Sequence, residues 1–194
     1  MGNMKKTKIN VYKTKEYAEL PVYATRNSAC FDLKVYFNVY TPIKIFDARN
    51  MAFDGCESFS YKNSPTVRCR FGAVSIVDCV GIDIPTGCRA LVPTGLIFDI
   101  PDDYSLRLHV RSSTGGKMGL MLSNSQGIVD PDYTDEMFLL LTNTNKYPVT
   151  IFSGDRLAQG EFVKLDNKFE FEETLGKLYQ KTDRTGGFGS TGKN

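Results

Sequence analysis

The polar residues best placed to do chemistry concentrate between positions 111 and 133, which read RSSTGGKMGLMLSNSQGIVDPDY. The stretch opens with Arg111, the hydroxyls of Ser112 and Ser113, and the glycines Gly115 and Gly116. Such a turn aims backbone N–H groups and side-chain donors at phosphate oxygens, although Ser, Thr and Gly serve equally well in a plain chain reversal. Further on, Asp130 follows a short apolar run and precedes Pro131. A carboxylate so placed either caps the turn or holds and deprotonates a water. His109 is the single histidine, set in the alternating run LRLHV. A Ser/His/Asp triad or a multi-histidine metal centre would have to use it, and an ordinary strand histidine is the simpler reading. The five cysteines, Cys30, Cys56, Cys69, Cys79 and Cys88, show no C-x-x-C spacing. They signal neither a disulfide framework nor a zinc site and read as buried or incidental thiols.

Strands must position these groups. Alternation and β-branched or aromatic clusters predict strands over residues 34–40, 44–46, 73–80, 89–92, 96–99, 105–110, 138–142, 150–152 and 157–163. Pro85, Gly87, Pro93, Gly95, Pro101, Pro148 and Gly154 punctuate them. Many short strands with such turns suit an all-β sandwich, jelly roll or barrel. Only short helices are expected, near residues 113–119 and 174–180, because no longer segment holds a 3.6-residue apolar stripe. Residues 47–71 are polar and aromatic with weak periodicity and read as an insertion. The last nine residues, 186–194, are nearly all Gly, Ser and Thr around Phe188, a composition that cannot bury a core by itself.

A chain of 194 residues fits one domain with a sizeable core, with room for an insertion. The net charge of +2, with no run of five basic residues, gives no strong field for a nucleic-acid backbone. A free nucleotide remains compatible with it. The basic N-terminus has no apolar core of a signal peptide, and no stretch is apolar and long enough to span a bilayer. The expectation is a soluble, cytoplasmic protein with neither nucleic-acid nor membrane partner.

Taken in order, five segments resemble the motifs of the trimeric dUTPase family. The family's A-G-x-D-L stands as ACFDL at 29–33, and R-S-G-L-A-x-K-x-G as RSSTGGKMG at 111–119. G-x-I-D-x-D-Y stands as GIVDPDY at 127–133, and G-x-R-x-A-Q as GDRLAQ at 154–159. G-G-F-G-S-T-G is matched without change at 186–192. The order of all five is far more specific than any one. The resemblance implies a distorted jelly-roll or β-barrel with one or two short helices and a flexible C-terminal arm. It divides the chain into a single β-barrel domain, 1–183, carrying the insertion at about 47–71, and a glycine-rich lid, 184–194.

The same resemblance implies hydrolysis of dUTP to dUMP and pyrophosphate by a homotrimer with shared sites. Asp130 is the implied general base, activating a water for attack on the α-phosphorus. Mg2+ is the implied cofactor, held by triphosphate oxygens and, through water, by Asp32; an aspartate at a strand end capping a turn is the plain alternative. Arg111, Ser112, Ser113 and Gln159 are implied phosphate ligands, although Arg111 could instead brace the site by pairing with an acid, and Gln159 could merely satisfy backbone groups. Asn124, with the backbone of Gly127, Ile128 and Val129 in a β-hairpin, is implied to read the uracil edge. Tyr133 is implied to lie beneath the deoxyribose, with a core aromatic as the alternative. From the lid, Phe188 would stack on uracil while Gly189 and Ser190 close over phosphate.

Some positions depart from the family. Cys30 and Ser113 replace glycines, Asp135 stands where a glycine usually follows, and Arg184 lies one residue closer to Phe188 than the family's γ-phosphate arginine. Arg184 is assigned that role, with Lys181 as substitute. A dCTP deaminase shares the fold and an R-S-S segment, but needs a glutamate near the position of Leu140. A non-catalytic, nucleotide-sensing trimeric binding protein is the rival from another class.

Overall fold

The computed structural model describes residues 7–38, 40–54, 81–166, 169–176, 179 and 181. Along them run β1 (Asn10–Lys13), β2 (Phe31–Lys34), β3 (Lys44–Phe46), β4 (Ala52–Asp54), β5 (Gly81–Ile84), β6 (Arg89–Pro93) and β7 (Leu96–Asp99). There follow β8 (Tyr104–Val110), α1 (Ser112–Met118), β9 (Leu120–Leu122), β10 (Gly127–Val129), β11 (Phe138–Asn143), β12 (Val149–Phe152) and β13 (Arg156–Lys164). Every paired strand is antiparallel, in a four-stranded sheet β10-β8-β13-β2, a five-stranded sheet β4-β3-β6-β11-β9, and the pairs β1-β7 and β12-β5. The fold is thus mostly β, as the punctuation by Pro and Gly implies. Among the described residues, no helix is long and apolar enough to cross a membrane.

Burial follows the pleat. Along β6 and β11 every second residue turns inward, giving buried Ala90, Val92, Leu139 and Leu141. With Leu33, Ile45, Ile82, Ile84, Leu106 and Ile151 these belong to one apolar core. Where two strands approach most closely, glycine makes room. A Cβ at Gly160 on β13 would meet the Phe31 ring at 2.8 Å and Leu106 Cδ1 at 3.1 Å. Phe31 lies opposite Gly160 in the β13–β2 register. Its ring also packs on Phe98 and Phe162, with centroids 6.2 and 5.7 Å away. That packing fixes the β2–β13 seam, one position from Asp32 and Gln159.

Four sequence expectations need correction or restriction. The strand expected over 34–40 ends at Lys34, because Val35, Tyr36 and Phe37 are buried consecutively, which no one-sided strand allows. Their N–H groups instead bond Asp155 O, Pro93 O and Ser153 Oγ, carrying the chain from one sheet toward the other. The second helix does not appear in the described part of 174–180: Thr174–Gly176 is irregular and Leu175 is fully exposed. A single helical turn containing glycine and packing on nothing cannot repay nucleation. The strand expected over 73–80 lies outside the described residues, as does most of the insertion. The described start of the insertion reverses at Asp47, whose carboxylate accepts from the Arg49 and Met51 N–H groups, and returns as β4 against β3.

Gly160→Ala is expected to cost about 1–3 kcal/mol, because the added methyl must displace a packed ring. Urea unfolding of the two proteins measures it, and an unchanged midpoint would contradict the tight β2–β13 seam.

Candidate active site

β8 ends at Val110 and the chain enters α1, with Arg111 as an extended N-cap residue lacking a side-chain capping bond. The helix has no acid in its first turn. It is held at its far end, where Gly119 adopts a left-handed conformation, φ 63°, and donates back to Gly115 O and Thr114 O. Asn145 Nδ2 donates to Met118 O at 2.7 Å, and Thr144 Oγ1 to Gly119 O at 2.8 Å. The Ser112 and Ser113 hydroxyls therefore sit in the first turn of a short helix anchored at its other end.

The β13–β2 register sets Gln159 opposite Asp32, and the β13–β8 register sets Gln159 opposite His109. Asp32, with only 11% of its side chain exposed, accepts from two guanidiniums: Arg111 Nε at 2.9 Å on Oδ1 and Arg156 Nη1 at 3.0 Å on Oδ2. Arg111 Nη1 also donates to Arg156 O at 3.2 Å. Two cations and one anion leave one net positive charge in this group. Sequence reasoning missed Arg156 as a partner here, although it lies inside the fourth motif. The Gln159 amide makes no side-chain hydrogen bond among the described residues. A carboxylate has about four lone-pair positions, so two arginine bonds leave Asp32 able to accept from water. That fits an outer-shell role toward hydrated Mg2+, with phosphate oxygens carrying the inner shell.

Asn124, Gly127, Ile128, Val129, Asp130 and Tyr133 line one cavity of about 510 Å³. Its remaining walls include Leu91, Leu108, Met137, Phe138 and Leu140, an apolar lining the sequence reading did not identify, and Asp132. Gly127 is required by close approach, since a Cβ there would stand 3.0 Å from Leu108 Cβ. The expected hairpin is instead a turn between two sheets: β9 pairs with β11 and β10 with β8. Ser125, at φ 65°, donates its N–H to Leu122 O at 3.0 Å within that turn. Asp130 lies just beyond β10, exposed, and its carboxylate makes no hydrogen bond or ion pair among the described residues. The turn after it is closed by backbone, Tyr133 N–H to Asp130 O at 3.2 Å, rather than by the Asp130 side chain. Tyr133 is 40% exposed and donates its hydroxyl to Glu136 O at 2.9 Å. It is not a core aromatic. Partial burial, and then the charges of Asp135 and Glu136, hold its phenol above the ordinary value.

One chain does not bring the two groups together. In the β10–β8 register Val129 faces Leu106, so Asp130 stands near the start of β8 while Arg111 follows its other end, about 20 Å away along the strand. Arg184, Phe188, Gly189 and Ser190 lie outside the described residues. Among those described, the one grouping of three metal-ligating side chains is Cys30, His109 and Glu161, which does not include Asp32.

Residues 77–192 match the family model described as dUTPase. The deoxyuridine 5'-triphosphate nucleotidohydrolase of Chlamydia muridarum is 38% identical over 112 residues, 58% of this chain and 77% of that protein. That of Dinoroseobacter shibae is 36% identical over 113 residues, 58% of this chain and 72% of that protein. In fold the chain is similar to the Staphylococcus bacteriophage 80alpha dUTPase with dUPNHPP, with TM-score 0.62, 15% identity, and coverage of 96% of this chain and 99% of that one. The Streptococcus mutans dUTPase is also similar, with TM-score 0.54, 22% identity, and coverage of 82% and 98%.

The Tyr133 environment is testable by ultraviolet pH titration, taking the difference between the intact chain and Tyr133→Phe. The expected midpoint lies above the ordinary 10.0. Because the folded value is raised, stability tied to the protonated phenol is intact below 10.0 and is lost as pH rises through the folded value. A midpoint at or below 10.0 would contradict the desolvated position.

Proposed function

Because the chain belongs to the dUTPase family, we propose that it hydrolyses dUTP to dUMP and pyrophosphate by attack of an Asp130-activated water on the α-phosphorus. The observation that carries this reading is the cavity lined by Asn124, Gly127 to Val129 and Asp130, whose carboxylate has no partner among the described residues. The Asn124 amide and the backbone of residues 127–129 read the polar edge of uracil. A thymine methyl would be excluded by overlap with the apolar wall, and a cytosine amino group would bring a donor to meet a donor. Tyr133, partly exposed at the cavity, lies beneath the deoxyribose.

Phosphates fall to the other group. Arg111, Ser112, Ser113 and Gln159 hold them, and the net positive charge around Asp32 favours them there. Asp32, through water, would hold a magnesium ion brought by the triphosphate, and that ion would supply charge to stabilise the leaving pyrophosphate. Asp130 takes the proton of the attacking water; no covalent nucleophile is needed, because pyrophosphate leaves readily once its charge is balanced. The separation of about 20 Å along β8 between Asp130 and Arg111 within one chain supports a homotrimer, in which one copy's Asp130 meets another's Arg111 and Gln159. The glycine-rich arm, 184–194, closes the site, with Phe188 over uracil, Gly189 and Ser190 at phosphate, and Arg184 on the γ-phosphate. Leu140 lines the cavity where a deaminase of this fold needs a glutamate, which favours hydrolysis.

Incubation with dUTP, dCTP or dTTP plus Mg2+ separates the readings. Pyrophosphate from dUTP alone is expected, and Asp130→Asn should keep dUTP binding while turnover falls by at least about 100-fold. Ammonia from dCTP would indicate a deaminase, absence of any product a binding protein, and undiminished turnover by Asp130→Asn would remove that residue as the base.

A further inference from the structure

The outer face of the four-stranded sheet gathers three ligand-type side chains that the proposed hydrolysis does not use. Cys30 immediately precedes β2, whose Phe31 pairs with Gly160, so Cys30 stands opposite Glu161 on β13. His109 on β8 pairs with Gln159, two residues from Glu161. Three adjacent strands thus each offer one ligand atom, and these atoms lie within 4.8 Å of one another. His109 Nε2 and Glu161 Oε1 are 3.0 Å apart. A tetrahedral ion with arms of about 2.0 Å separates two such ligands by about 3.3 Å, so the pair need open only by a few tenths of an ångström. All three residues are half-buried, which leaves a path for an ion and an open fourth position.

We infer that Cys30, His109 and Glu161 form a binding site for a thiophilic divalent cation such as Zn2+, separate from the magnesium of the triphosphate. The ligand set decides the ion. Thiolate and imidazole suit zinc or cobalt, whereas magnesium requires oxygen ligands in near-octahedral geometry. A divalent cation replaces the thiol proton, which is released to solvent as the Sγ–metal bond forms. Across the ladder Glu161 faces Arg107, but Arg107 Nε donates to Ser105 Oγ at 3.1 Å, and among the described residues the carboxylate of Glu161 contacts His109. Cys30 occupies the glycine position of the first dUTPase motif, so the site belongs to this chain's departure from that pattern. A bound ion would tie β2, β13 and β8 together one row from Asp32 and Gln159.

The test uses the full-length chain stripped of metal, titrated with Co2+ and, in parallel, dialysed against Zn2+. Binding of Co2+ with a thiolate-to-cobalt charge-transfer band and tetrahedral d–d absorption is expected. So is Zn2+ uptake that Mg2+ in large excess does not reverse. Cys30→Ser should lose the thiolate band, and His109→Gln and Glu161→Gln should each weaken binding by more than about tenfold. Circular dichroism checks that each variant folds. If Cys30→Ser does not fold, Glu161→Gln, which keeps size and hydrogen bonding, decides: weakened binding supports the site and unchanged binding overturns it. Failure of the intact chain to bind either ion, displacement by Mg2+, or a thiolate band surviving in folded Cys30→Ser would each overturn the site. None of these readouts depends on turnover of dUTP.

Discussion

Asp32 held between two guanidiniums is the interaction on which the phosphate side of this protein depends. A carboxylate with 11% of its side chain exposed has surrendered most of its hydration, and uncompensated it would be costly. Arg111 arrives from the end of β8 and Arg156 from the start of β13, so the one carboxylate ties three neighbouring strands at the same end of a sheet. The tie sets where α1 begins and hence where Ser112 and Ser113 stand. It also leaves the group positively charged overall, the sign that a triphosphate requires. The same residues therefore order the fold and prepare the site.

The sheet imposes the second constraint. The β10–β8 register puts Asp130 near the start of β8, while Arg111, Ser112 and Ser113 follow its end and Gln159 lies opposite His109 near that end. A turn that passes between sheets builds the cavity lined by Asn124 and Asp130, because β9 is committed to β11 and β10 to β8. Gly127 and Gly160 permit these close approaches, each meeting a packed side chain where a Cβ would sit. Side-chain rearrangement alone does not bridge the roughly 20 Å of strand between Asp130 and Arg111. The proposed completion of the site by a second copy rests on this register rather than on any single contact.

Much of this was legible in the sequence. Alternation located β6, β7, β8, β11, β12 and β13 because each has one face inward and one outward, and the motif order carried the family. The chain between Val35 and Phe37 was misread because three successive inward residues mimic a strand while crossing between sheets. β9 and β10, three residues each, are too short for periodicity to register. Arg156 was invisible as a partner of Asp32, 124 positions away, since only register brings them together. The Cys30, His109 and Glu161 grouping escaped for the same reason: metal motifs are recognised by local spacing, and His109 and Glu161 are 52 positions apart.

The central claim is that the two halves of a working site come from different copies of the chain. Mixing of two separately inactive variants tests it most directly. Asp130→Asn lacks the proposed base and Gln159→Ala a proposed phosphate ligand on β13, and the two are unfolded, combined and refolded together. Mixed assemblies should regain dUTP hydrolysis well above either variant alone, since some sites then draw both intact halves from different copies. Activity no greater than the sum of the two variants would contradict a shared site and place both halves within one chain.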